Sequence, residues 1–85
     1  MDNNKVLVIL NVPEIDTDFD LMIPVSRKVG NLIELLAKFL EENSKGDYKI
    51  DLHKNLYNKD TGQRYNCNSL IYDTDIRNGT KLILI

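Results

Sequence analysis

The sequence lacks a second cysteine and a long hydrophobic run, and we expect no signal peptide. Its single cysteine, Cys67, excludes an internal disulfide bond, and nothing indicates an oxidising compartment. The longest apolar runs, Val6–Leu10 and Leu82–Ile85, are far too short to span a bilayer. The polar N-terminal residues do not have the layout of a signal peptide. We therefore expect a cytoplasmic protein without direct membrane insertion.

The sequence also lacks a charge excess of one sign. It has 11 basic and 13 acidic residues, for a formal net charge of −2. The basic residues stand singly apart from Arg27-Lys28, so no basic stripe follows a phosphate backbone and we expect no nucleic-acid binding. A length of 85 residues leaves room for only one hydrophobic core. We expect a frayed N-terminus over residues 1–4 and a single domain over residues 5–85.

Signatures of catalysis and of metal binding are weak. A zinc site needs three or four ligands, whereas His53 is the only histidine and lies far from Cys67 in sequence. A thiol mechanism would have to pair these same two residues. Alternating aspartates begin at Asp16 as in a calcium loop, but Leu21 and Arg27 stand where that loop needs glycine and glutamate. We expect no enzymatic activity, no cofactor and no metal.

The first half of the chain has the pattern of two strands followed by a helix. Lys5–Val12 and Phe19–Val25 are strand-like and are separated by a turn rich in aspartate. Between Val29 and Asn43 the apolar period changes to about 3.6, which predicts a helix. Its apolar face comprises Val29, Leu32, Ile33, Leu36 and Leu40, widened by Leu35 and Phe39. We expect Ser26 to cap the helix and Gly46 to end it.

The second half of the chain is short and strand-like, with clear turn signals. The expected elements are a small strand Asn55–Asn58, a turn at Lys59–Gly62, a very short return strand Gln63–Asn66, a loop or single helical turn at Ser69–Asp75, and a closing strand Thr80–Ile85. Asn78-Gly79, just before the closing strand, is the strongest turn signal in the sequence.

This order of elements favours an α+β fold of the β-grasp type. A hairpin and a single helix must bury their apolar faces against each other, and the last strand must complete the sheet. We expect a mixed sheet of four to five strands in the order 2-1-5-3, with the helix packed across one face. The first and last strands would pair in parallel at its centre.

The apolar pattern between Phe19 and Leu36 resembles that of ubiquitin. Alternate residues from Phe19 point inward, and the remaining core pattern is completed by Leu56, Leu70 or Ile71, Ile76, Leu82 and Leu84. More narrowly, the chain resembles the YukD-like (EsaB-like) ubiquitin-like proteins of bacterial type VII secretion systems in its small size, in Phe19-Asp20-Leu21 at the second strand, and in the segment Ile76–Leu82. This resemblance implies a non-catalytic accessory protein that binds the cytosolic side of a membrane secretion complex.

The C-terminal residues differ from those of ubiquitin. Conjugation and sulfur-carrier chemistry both require a flexible tail that ends in Gly-Gly, whereas this sequence ends with Leu82–Ile85 inside the expected strand. We therefore expect that the chain is not conjugated. The alternatives are a generic stand-alone ubiquitin-like binding module and a ubiquitin-type or sulfur carrier that lacks its Gly-Gly tail.

Strand alternation predicts an apolar outer face on the sheet. If Val6, Val8 and Leu10 point towards the helix, then every second residue points away from it. The same rule applies to the other strands. The expected partner-binding residues are Leu7, Ile9, Met22, Tyr57, Ile83 and Ile85. The alternatives are scattered surface residues and a register shift by one that exchanges the two faces, and the band could also support a homodimer.

Overall fold

The fold is a ubiquitin-like β-grasp, as the order of elements predicts. A computed structural model of the chain describes residues 4–44 and 53–85. The elements are β1 Lys5–Val12, β2 Thr17–Pro24, α1 Val29–Asn43, β3 Leu56–Asn58 and β4 Lys81–Leu84, with short 3-10 helices at Pro13–Ile15 and Ile71–Asp73. The strands form a four-stranded mixed sheet in the order β2-β1-β4-β3. The first and last strands are parallel neighbours at its centre, as expected.

The β1–β2 hairpin pairs its inward-facing apolar residues with one another. Val8 pairs with Leu21, and Leu10 pairs with Phe19. Asp16 takes a left-handed conformation at φ 50° and leads into β2, which begins at Thr17, two residues before the expected start. At the open end the Val25 N–H donates to the Asn4 carbonyl oxygen at 2.7 Å. Of the expected frayed N-terminus, only Asn4 lies within the described residues.

The core lies between the inner face of the sheet and α1. The helix has the predicted bounds and buries the five predicted core residues together with Ala37. The strands contribute Val8, Leu10, Val12, Ile23, Leu56, Leu82 and Leu84, and the segment before β4 contributes Ile71 and Ile76. Of the two candidates at positions 70 and 71, therefore, Ile71 is the core residue. Leu35 is 42% exposed and does not widen the buried face.

The N-terminus of α1 is capped by main-chain carbonyl groups, and the prediction that Ser26 caps it is wrong. Lys28 occupies the N-cap position and makes no side-chain cap hydrogen bond. The Val29 N–H instead donates to the Ser69 carbonyl oxygen, and the Gly30 N–H donates to that of Cys67, both at 2.9 Å. A Cβ at residue 30 would lie 3.3 Å from the Cys67 oxygen, so glycine allows this close approach. The predicted helix stop at Gly46 lies outside the described residues.

The expected return strand at 63–66 is also wrong, because only one bridge forms there. Arg64 bridges to Tyr57, and the Tyr65 N–H donates to the Leu56 carbonyl oxygen at 2.9 Å. These contacts are too few for a further strand. The turn predicted at residues 59–62 is confirmed, since Gly62 has a positive φ of 76° and its N–H donates to the Asn58 carbonyl oxygen.

The predicted Asn78-Gly79 turn, which precedes β4, forms hydrogen bonds with the main chain of β1. Gly79 has φ 89°, and the Thr80 N–H donates to the Arg77 carbonyl oxygen, which closes the turn. The Gly79 N–H donates to the Leu7 carbonyl oxygen, and the Leu7 N–H donates to Asn78 Oδ1, both at 2.8 Å. The turn therefore satisfies both main-chain groups of Leu7 and extends the ladder between the central strands beyond their paired residues.

Asn78→Ala should destabilise the protein by removing the acceptor of the Leu7 N–H. We expect the free energy of unfolding to fall by about 1 kcal/mol, the usual contribution of one hydrogen bond. Urea unfolding followed by circular dichroism measures the change. Ser26→Ala is the matched control, because Ser26 is exposed and does not cap α1, and it should stay within about 0.5 kcal/mol of wild type. Equal losses in the two variants would contradict the role given to Asn78.

Candidate binding face

The six predicted binding residues all belong to the outer face of the sheet. Their neighbours in each strand are buried or partly buried on the side of α1, and strand side chains alternate between faces. Leu7, Met22 and Ile85 are 43%, 58% and 50% exposed. The other three residues, Ile9, Tyr57 and Ile83, are half-buried. We call these six residues the apolar band.

The strand register connects the members of the apolar band. Met22 lies directly opposite Leu7 on neighbouring strands. On β1, Ile9 follows Leu7 by two residues, and Asn11 follows Ile9 by two more. Ile83 of β4 lies opposite Asn11. Tyr57 lies opposite Ile83 on the far edge strand. The band therefore runs diagonally across the sheet, from the open end of the β1–β2 hairpin to β3. Ile85 extends it, since its N–H and carbonyl oxygen both pair with Asn55.

Charged residues of opposite sign flank the apolar band. On the β2 side, Asp20 lies opposite Ile9, and Asp18 lies opposite Asn11 and accepts a hydrogen bond from its Nδ2 at 2.6 Å. On the other side of Ile9 stands Lys81. Lys59 is next to it, because its N–H donates to the Lys81 carbonyl oxygen. An apolar centre between an acidic and a basic flank fixes the orientation in which a complementary surface can dock.

The part of the chain that the structure describes contains no candidate metal site. Across residues 4–44 and 53–85, no cluster of three or more His, Cys, Asp or Glu side chains is arranged to hold a metal ion. Cys67 lies exposed in the loop that caps α1. Within the same ranges, no helix is long and apolar enough to cross a membrane.

A hydrogen-bond network joins the buried residues Asn58 and Tyr65 to the exposed residue Asp75. The Tyr65 hydroxyl donates to Asp75 Oδ1 at 2.7 Å and accepts from Asn58 Nδ2 at 3.1 Å. Asn58 Oδ1 in turn accepts from the N–H groups of Asp60 and Thr61, so it organises the turn after β3. Burial, together with the hydrogen bond to the Asp75 carboxylate, raises the pKa of Tyr65 from 10.0 to about 12. A phenol held protonated between two partners is suited to a structural role.

An apolar groove between β2 and α1 is the feature that strand alternation did not predict. The groove has a volume of about 150 Å³. Its walls include Leu21 and Ile23 from the strand and Leu32, Leu35, Leu36 and Phe39 from the helix. Phe39 also packs edge-on against Phe19, with ring centroids 5.4 Å apart. The sequence signal for this groove is Leu35, because it is an apolar residue beside the helix face that packs on the sheet.

A second depression lies at the open end of the hairpin and is lined by Val6, Val25, Tyr72, Ile76 and Arg77. The only charged group in this lining is the Arg77 guanidinium. Its Nη1 donates to the carbonyl oxygens of Thr74 and Ile76, both at 2.7 Å. These bonds fix the segment before β4, so the guanidinium serves the fold at this position.

Comparison with known proteins identifies the fold. Neither a protein-family model nor a curated protein sequence matches the chain. A chain of the ESX-5 inner membrane complex superposes with a TM-score of 0.80 at 15% identity, over 98% of this chain and 21% of its own length. The ubiquitin-like domain of EccD5 from Mycobacterium xenopi gives 0.78 at 15% identity, over 98% and 94%.

A ubiquitin-like domain from Arabidopsis thaliana is similar as well, with a TM-score of 0.70 at 13% identity, over 98% of this chain and 78% of that domain's chain. These likenesses extend over almost the whole chain, so they identify a ubiquitin-like fold. At such low identities they establish the fold alone.

Tyr65→Phe should destabilise the protein because it leaves Asn58 Nδ2 without its acceptor. We expect a loss of about 1–2 kcal/mol in the free energy of unfolding, as for a buried polar group that loses its partner. Urea unfolding at neutral pH provides the measurement. Tyr72→Phe is the matched control, since Tyr72 is 68% exposed and should tolerate loss of its hydroxyl without a measurable change. If the two variants lose the same stability, the network does not have the role described.

The stabilising effect of Tyr65 should disappear at alkaline pH. Its folded pKa of about 12 lies above the ordinary 10.0, so the folded chain holds this proton more tightly than the unfolded chain does. The contribution is fully present below pH 10 and is lost as the pH rises towards 12. Wild type and Tyr65→Phe should therefore converge in stability above pH 10. Unfolding curves recorded over this range test the effect, and a constant difference would contradict it.

Proposed function

We propose that the chain is a non-catalytic ubiquitin-like module that binds a protein on the cytosolic side of a type VII secretion complex through its apolar band. The module acts by occupying a surface of its partner, without conjugation and without a cofactor. The cytoplasm is the compartment in which it meets that partner. This role agrees with the resemblance of the sequence to the YukD-like proteins.

The observation that carries the proposal is the apolar band itself. Within residues 4–44 and 53–85, α1 covers one face of the sheet and no second layer covers the other face, so aliphatic residues on that outer face remain in contact with water. Leu7 and Met22 form an exposed pair opposite each other, and Ile9 and Ile83 continue the apolar surface between the charged flanks. Contiguous apolar surface with a polar rim is typical of a protein–protein interaction site.

The structural neighbours support the choice of partner class. A chain of the ESX-5 inner membrane complex and the EccD5 ubiquitin-like domain have TM-scores of 0.80 and 0.78 with this chain. A fold of the same shape therefore occurs in a chain of the ESX-5 inner membrane complex. The second candidate function is a generic stand-alone ubiquitin-like binding module, because the same fold also occurs outside that complex, as in the Arabidopsis domain with a TM-score of 0.70.

Affinity capture with an altered band tests the proposal. Ile9→Thr combined with Ile83→Thr replaces two central apolar residues by a residue that also has a branched Cβ and favours strands. Because central apolar residues contribute most of the binding energy at an interface, we expect capture of the membrane secretion components to fall at least about tenfold. The experiment compares wild-type and variant protein as bait in membrane extracts of the native host, with circular dichroism to confirm folding.

Leu70→Ser is the matched control for this capture. Leu70 is 37% exposed but lies beside the N-terminus of α1, away from the outer face. Its substitution should leave capture unchanged. If the double variant captures the same components as wild type, the apolar band is not the binding face. If wild type captures no component of a secretion complex, the proposed partner class is wrong.

A further inference from the structure

The outer edge of β2 presents main-chain groups that no described strand pairs. In the sheet order β2 is an edge strand, with β1 as its neighbour on the other side. The Val25 N–H donates to the Asn4 carbonyl oxygen, which makes these two residues a hydrogen-bonded pair. Along an antiparallel ladder, hydrogen-bonded pairs alternate with non-hydrogen-bonded pairs. Phe19, Leu21 and Ile23 therefore direct their main-chain groups towards β1. Those of Asp18, Asp20 and Met22 point outward, away from β1.

The apolar groove lies directly below this edge. The inward side chains of β2 form one wall and α1 forms the other, with Leu35 exposed at the rim. Its volume of about 150 Å³ is smaller than the pockets that hold small-molecule ligands. A groove of this size suits individual aliphatic side chains of an added strand, because alternate residues of that strand would point into it.

The charges on β2 select the chemistry of the added strand. Asp18 and Asp20 share the outer face with Met22, next to the edge. A residue of an added strand opposite either aspartate would lie on the same face, where a basic side chain is favoured and an acidic one is disfavoured. The residues between them would face the groove. Basic and aliphatic residues should therefore alternate along the added strand.

The same charges argue against a second copy of this chain as the occupant. Pairing of two β2 edges would bring the Asp18 and Asp20 carboxylates of both copies together on one face. Like charges at opposed positions destabilise a strand pair. Pro24 also lacks an N–H, which limits the edge available for pairing to the residues before it. The edge is thus poorly suited to self-association and well suited to a basic partner.

We propose that the edge of β2 and the groove beside it bind an extended segment of a partner protein in which basic and aliphatic residues alternate. The segment adds a fifth strand to the sheet, with its aliphatic side chains in the groove and its basic side chains beside Asp18 and Asp20. This site is distinct from the apolar band, although Met22 borders both. The inference goes beyond the proposed function and does not depend on the identity of the secretion partner.

A peptide titration followed by NMR tests this proposal. The probe is a short, acetylated and amidated peptide in which lysine alternates with valine and isoleucine. One control peptide has the same composition with the lysines and the aliphatic residues in separate blocks. We expect the alternating peptide to shift the amide signals of Asp20 and Met22 and to slow their hydrogen exchange, because these N–H groups gain partners. The block peptide should bind at least about tenfold more weakly.

Two variants locate the binding site. Leu35→Gln removes apolar surface from the groove rim at an exposed helix position and keeps a good helix former, so folding should be preserved. Asp20→Asn removes one flanking charge. Each should weaken binding of the alternating peptide at least about fivefold, and the effect of Asp20→Asn should shrink at high salt. Ile9→Thr with Ile83→Thr should leave this binding unchanged.

The outcomes separate this proposal from the proposed function. Loss of peptide binding in Leu35→Gln, with capture of secretion components retained, supports a groove site separate from the apolar band. Signal shifts at Ile9, Lys81 and Ile83 in place of Asp20 and Met22 would overturn the groove site. Equal binding of the block peptide would overturn the added strand, and concentration-dependent dimerisation through β2 would identify a second copy as the occupant and overturn the proposal.

Discussion

The parallel pairing of β1 with β4 is the contact on which the rest of the structure depends. It joins the first strand to the last, through Ile9 with Lys81 and Leu10 with Leu82, and so unites the β1–β2 and β3–β4 pairs in one sheet that packs against α1. Parallel strands cannot be joined by a short hairpin, so the intervening chain must cross over the sheet. Here α1 forms the helical part of that crossover, and its buried residues supply the opposite side of the core.

This central pairing also determines which residues the protein presents to its surroundings. Once Val8, Leu10 and Leu82 are buried, alternation directs Leu7, Ile9 and Ile83 to the opposite face. The stability of the core and the exposure of the apolar band therefore have the same origin. The edge of β2 is a further consequence, since a sheet that ends at that strand leaves its outer main-chain groups unpaired within the described residues. Asp18 and Asp20 supply the charge that restrains pairing between two copies of this edge.

The elements that could be predicted are those encoded by local periodicity. The helix Val29–Asn43 has its predicted bounds because its apolar positions recur at the helical period over four turns. The placement of the six band residues followed from strand alternation, which leaves only two choices of face. The helix cap was not predictable in this way, because carbonyl groups of Cys67 and Ser69, distant in sequence, replace the Ser26 side chain.

The groove was missed for a related reason. Leu35 is apolar like its buried neighbours, and only the position of the sheet edge relative to α1 leaves it exposed. The short segment around Arg64 carries strand-like residues but makes a single bridge, since the adjacent turn and the Tyr65 network determine its direction. The pattern of apolar residues in a strand indicates a binding face, whereas the identity of the partner depends on the partner's own residues.

Methyl NMR of the chain with the isolated cytosolic part of a type VII membrane component from the same host tests most directly whether the apolar band binds the proposed partner. We expect binding through the apolar band to shift the methyl signals of Leu7, Ile9, Ile83 and Ile85, whereas those of Val8, Leu10 and Leu82, on the opposite face of the same strands, stay in place. Shifts confined to the helix side of the molecule, or no shift at any of these methyl groups, would contradict it.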